Sequence, residues 1–171
     1  MTPLTGPRLR VPVVVLLALV LQQTVWGDVR VAGVAADGML LVAVAAGMVG
    51  GPERGALVGF VTGLATDLFL LTPFGLSALV FSVLGYTVGA STTVFVRAAW
   101  WIPVLTGFVA SVVGELTFAV VGAMVGQGHL VSPRLATIAL VVGLLNGALA
   151  PLAVRLLHWA LPGGPVRAGA A

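Results

Sequence analysis

"RGALVGFVTGLATDLFLLTPFGLSALVFSVLGYTVG", Arg54 to Gly89, decides the fold. It holds two apolar runs, Gly55–Leu71 and Phe74–Ser91, the second running just past the quoted stretch and separated from the first by the short break "TPFG" (Thr72–Gly75). Each run approaches the roughly 17–25 residues that a bilayer-spanning helix needs. The break is so short that the two helices must form an antiparallel hairpin. Pro73 presets a turn backbone, and Gly75 lets the second helix start close to the first. Asp67 lies inside the first run, where a carboxylate marks either a misplaced span or a site.

Composition extends this reading to the whole chain. Of 171 residues, 60% are hydrophobic and 8% are charged. A soluble domain is about 45–50% apolar and 25% charged. So few charges cannot cover a water-exposed surface, so the expectation is an all-α, polytopic transmembrane bundle. Six spans are predicted: Val11–Trp26, Ala36–Gly50, Gly55–Leu71, Phe74–Ser91, Trp101–Val125 and Leu135–Trp159, the last kinked at Pro151. Residues 1–10 form a cytoplasmic N-terminal segment, 11–159 the transmembrane domain and 160–171 a flexible cytoplasmic tail. The N-terminal run resembles a signal peptide, but no A-x-A cleavage site follows it, so a retained first helix is the better reading.

Arginine placement sets the orientation. With the N-terminus inside, Arg8, Arg10, Arg54, Arg97, Arg155 and Arg167 are cytoplasmic, and only Arg30 and Arg134 are outside. Positive charge favours the cytoplasmic side. Trp26, Trp100, Trp101 and Trp159 all fall at span ends, as an interfacial aromatic belt requires. Both termini are therefore expected in the cytoplasm, in a multi-pass protein of the cell membrane.

Three residues stand out within the spans: Asp67, Glu115 and Asn146. Asp67 is about 18 Å and Glu115 about 21 Å from the cytoplasmic ends of their spans, at about 1.5 Å per residue. Both belong to the outer half of the bilayer, where no arginine can pair with them. The hydroxyls and amides of Thr62, Thr66, Ser77, Ser111, Thr117 and Asn146 are the expected partners. One reading is an ion pathway or polar ligand site. The other, favoured here, is helix packing through hydrogen bonds. Asp67 sits in the last turn of its helix, where an acid opposes the helix dipole. That unfavourable position calls for a specific partner: Asp67 is expected to accept hydrogen bonds from nearby backbone or hydroxyl groups and so hold the hairpin in one shape. Asp37 is at the start of the second span, where the dipole favours an acid.

Glycines give a second signal. Gly51, Gly55, Gly59 and Gly63 recur every four residues and lead to Asp67. Positions four apart share a helix face, so they make a smooth groove for close helix packing. Gly85 and Gly89 repeat the spacing. The groove faces either the protein's own bundle, the favoured reading, or a partner's helix.

Several functions find no support in the residues. There is no cysteine, no nucleophile triad, no metal-ligand spacing and no phosphate-binding P-loop. His129 and His158 read as surface residues. The scattered arginines do not suggest nucleic acid. No cofactor and no enzymatic activity are expected.

The opening stretch resembles the signature of the MreD family of rod shape-determining membrane proteins. That signature combines a Gly-rich helix, Asp-Leu, a Pro-x-Gly-Leu turn and a closing Gly-Tyr. Here these are Gly59, Gly63, Asp67, Leu68, Pro73, Gly75, Leu76, Gly85 and Tyr86, with Gly55 on the same glycine face. Asp37 matches an acid the family places at the start of the second span, although Ala36 stands where proline is common. Glu115 and Asn146 inherit nothing from the resemblance. It implies a non-catalytic component of the cell-wall elongation machinery, with an MreC-like partner. It also implies association with MreB, a RodA-type glycosyltransferase and a class B penicillin-binding protein, and a role in organising peptidoglycan synthesis and cell shape. The implied fold is similar to the membrane subunit of energy-coupling-factor transporters. The rival function is accordingly a substrate-binding subunit for vitamin-type small molecules. One Tyr and few intramembrane polar groups argue against that rival.

Overall fold

The computed structural model describes residues 7–24, 33–70, 72–91 and 101–161, without the side chains of 7 and 8. Six α-helices make up these residues, with no strand among them: α1 (Pro7–Thr24), α2 (Gly38–Gly50), α3 (Pro52–Asp67), α4 (Leu76–Ser91), α5 (Ile102–Met124) and α6 (Leu135–Ala160). A single 3-10 turn, Gly128–Leu130, lies between α5 and α6. Trp26, Arg30, Arg97, Trp100, Arg167 and residues 162–171 of the expected tail fall outside the described residues.

Helix existence follows the apolar runs; the boundaries shift for local reasons. α1 begins at Pro7 rather than Val11. α3 begins at Pro52 rather than Gly55, because proline's fixed φ and missing N–H suit the first helical turn. Gly51 alone separates α2 from α3, at φ +85°, which a side chain would strain. It is therefore the joint before α3 and not the first rung of its glycine face, a correction to the four-residue series. α3 ends at Asp67 itself, four residues before the expected Leu71. α6 runs through Pro151 without interruption.

α2 is the axis of the bundle. Twelve of its residues, all but Met48, are buried, and it packs against each of the other five helices. A helix that is apolar on every side belongs in a core. At 13 residues α2 is only about 20 Å long, well short of the roughly 30 Å hydrocarbon core. Among the described residues, α5 and α6, with 23 and 26 residues, are the two helices long and apolar enough to cross a membrane. Leu9–Thr24, Gly38–Gly50 and Leu76–Ser91 are shorter apolar segments.

α3 and α4 form the most extensive helix pair. A Cβ at Gly55 would overlap the Gly85 carbonyl, one at Gly59 the Phe81 carbonyl, and one at Gly63 the Ala78 backbone. The reverse holds too: a Cβ at Gly85 would strike Gly55, and one at Gly89 would strike Gly51 and Pro52. The glycine groove thus faces the chain's own α4, and backbone meets backbone along it.

Candidate functional site

Asp67 is the last residue of α3 and 3% exposed. Its Oδ2 accepts hydrogen bonds from the N–H groups of Gly75 at 2.8 Å and Ala78 at 3.3 Å. Its Oδ1 accepts one from the N–H of Ser77 at 3.0 Å. These donors lie at the start of α4. A helix start leaves four N–H groups without intrahelical partners. Here the Leu76 N–H reaches the Pro73 carbonyl at 3.2 Å, and the Leu79 N–H closes the first helical bond on Gly75 at 2.9 Å. Asp67 takes the Ser77 and Ala78 donors in between, and that of Gly75 just before the helix. The acid misplaced on its own helix is therefore the N-terminal cap of the next, where the dipole favours negative charge. Gly75, at φ +100°, bends the chain into position for this.

Of the two kinds of donor expected for Asp67, backbone and hydroxyl, the backbone supplies these three bonds. The Thr62 hydroxyl donates to the Gly59 carbonyl at 3.1 Å, and that of Thr66 to the Thr62 carbonyl at 2.9 Å. Both satisfy themselves on their own helix.

A second polar cluster surrounds the start of α2. Asp37 is its N-cap, with Oδ1 accepting from the Leu40 N–H at 3.0 Å. The Gly38 N–H donates to Gln22 Oε1 at 2.8 Å. Asn146, fully buried on α6, donates through Nδ2 to the Asp37 carbonyl and to Ser111 Oγ, each at 2.9 Å. It ties α6, α5 and the start of α2 together. Glu115 on α5 lines the same cavity as Asp37, Gln22 and Ser77.

The remaining motif residues divide by exposure. Pro73 supplies the carbonyl that closes the turn. Tyr86 is half-exposed on the outer surface of α4. The hairpin tip presents Leu68, Phe69, Leu70 and Phe74, all exposed. Glycine spacing marked the packing face of α3; Ser77 was among the expected partners but acts through its N–H, and Gln22 carried no mark in the sequence.

No group of three or more metal-ligating side chains occurs among the described residues. The family model described as "rod shape-determining protein MreD" matches residues 5–158. The chain belongs to the MreD family. Membership brings a role in rod shape determination and a place among membrane proteins. No curated protein and no solved structure matches the chain.

Proposed function

We propose that this MreD-family chain is a multi-pass, non-catalytic component of the cell-wall elongation complex that docks an MreC-like partner. In that complex it helps organise peptidoglycan synthesis by a RodA-type glycosyltransferase and a class B penicillin-binding protein, alongside MreB. Both termini face the cytoplasm.

The observation that carries this reading is the Asp67 brace. It fixes the α3–α4 turn in one shape and holds the exposed Leu68, Phe69 and Phe74 at its tip. A pre-shaped apolar tip offers a partner an interface with little ordering to be done on binding. Membrane insertion is supported by the outward side chains of every helix but the central one: Leu16, Leu57, Leu79, Leu105 and Leu144 are each at least half exposed. In water that surface would be a liability; in lipid it is solvated.

The test is affinity capture of the tagged chain from its native membrane, with mass spectrometry of the co-purified proteins. An MreC-like protein is the expected companion. A Phe69→Ser, Phe74→Ser double variant should stay folded and lose that companion. Unchanged recovery of the companion by the double variant would remove the tip from the interface. Recovery of a transporter ATPase pair in its place would establish the substrate-binding alternative.

A further inference from the structure

The polar cavity beside the start of α2 serves none of the packing described above. It measures about 260 Å³ and is lined by Gln22, Asp37, Ser77, Phe81, Glu115 and Phe118, among others. That is room for several waters or for one small organic group. Three properties of its wall set what it can hold.

The first is charge. Two carboxylic side chains, Asp37 and Glu115, face it within electrostatic reach of each other, and no cationic side chain among the described residues lines it. Asp37 caps α2 through Oδ1, and the Met39 N–H and the Gln22 side chain also interact with its carboxylate, which leaves Glu115 as the less committed acid. Glu115 has no hydrogen bond assigned to it among the described residues. The second is an orphaned hydroxyl. Ser77 is fully buried, and its Oγ has no hydrogen-bond partner. Buried polar atoms are nearly always paired. A serine in the first turn of a helix would ordinarily turn back on a nearby backbone group; this one stands at the cavity wall. The third is the aromatic lining of Phe81 and Phe118, whose ring faces attract a cation.

A bare metal ion fits poorly. Hard divalent cations take six or more oxygen ligands, and no three-ligand cluster exists here among the described residues. A planar or tetrahedral nitrogen cation fits better. It can donate to the carboxylates and to Ser77 Oγ at once, with its apolar part against the rings.

We propose that this cavity binds an organic cationic group, a guanidinium, amidinium or ammonium, held by Glu115, Asp37 and Ser77. The group can come from a free small amine or amidine, or from an arginine or lysine side chain of a membrane partner. The proposal does not depend on the hairpin tip being the docking surface.

The test uses the full chain in lipid nanodiscs with benzamidine as the probe and benzamide as its neutral control. Unfolding is followed through the protein's own tryptophans. Benzamidine should raise Tm by about 3 °C or more at saturation, and benzamide should not. Glu115→Gln should weaken the benzamidine effect about tenfold or more in concentration, and Ser77→Ala less, with the probe-free Tm of each variant measured alongside. A second arm places a photo-crosslinking amino acid at Leu70, which also lines the cavity, in the native membrane. Benzamidine binding that needs Glu115 assigns a free-cation site. No benzamidine effect, but a Leu70 adduct to a partner's basic segment that Glu115→Gln abolishes, assigns the site to a partner side chain. Equal benzamidine binding by wild type and Glu115→Gln, or silence in both arms, overturns the proposal.

Discussion

Asp67 shows how one residue can be unfavourable for its own helix and necessary to the next. Removing its carboxylate leaves the N–H groups of Gly75, Ser77 and Ala78 without their acceptor in a buried turn. Each unsatisfied buried group costs about 1–3 kcal/mol. Asp67→Leu should therefore destabilise the chain by about 3–5 kcal/mol. Asp67→Asn keeps one oxygen acceptor in place but loses the charge, and should cost about 1–2 kcal/mol. Thermal unfolding of both variants in nanodiscs measures this; equal losses would show that the brace is not what the carboxylate contributes. The sequence marked Asp67 as needing a partner, because its place against the helix dipole is visible in one dimension. It pointed to backbone or hydroxyl donors but could not say which ones. The three donors become neighbours only through the turn at Pro73 and the positive φ of Gly75, and no residue type advertises a bare backbone N–H. Asn146 was harder still. It lies 109 residues from the carbonyl it holds, and nothing periodic links the two.

At the scale of elements, the glycine face of α3 was legible and its target was not. A four-residue spacing reports a smooth helix face directly. Every other helix here also carries small residues, so only the folded chain shows that Gly55, Gly59 and Gly63 meet α4. Gly51 had the right spacing but the wrong backbone, since Pro52 starts the helix after it. Substituting Gly59 with alanine puts a methyl group onto the Phe81 carbonyl. Backbone cannot step aside as a flexible side chain can, so α3 and α4 must separate. Gly59→Ala should cost about 2 kcal/mol or more, whereas Gly128→Ala, with open space around it, should stay within about 0.5 kcal/mol. Tm and monodispersity of the two purified variants provide the comparison. A Gly59→Ala protein as stable as wild type would mean that the close approach of α3 and α4 is not required.

At the scale of the molecule, the short central α2 and the long outer α5 and α6 have one explanation. A helix enclosed by protein need not match the thickness of a bilayer, and the helices long enough to do so, α5 and α6, lie outside it. The start of α2 is accordingly recessed. Asn146, which holds it, lies eleven residues into α6, about 17 Å below the end of that helix. The lower end of the bundle is closed differently. Arg10 on α1 donates to the Trp159 carbonyl at 3.1 Å and lies 5.1 Å from its ring centre. That pairing brings the start of α1 to the end of α6, so both helix ends lie on one side of the bundle, which an even number of crossings requires. The chain contains no cysteine, so single cysteines can report sidedness without background. Glu53, exposed at the start of α3, and Gly128, exposed between α5 and α6, are separated by three helices. With six crossings and a cytoplasmic N-terminus, Gly128→Cys should react with a membrane-impermeant maleimide added to intact spheroplasts, and Glu53→Cys only after permeabilisation. Labelling of both from the same side would rule out three crossings between them. The reverse pattern would keep the crossings and invert the protein, placing the Asp67 tip and the polar cavity on the cytoplasmic face, where a partner with an extracytoplasmic docking segment could not reach them.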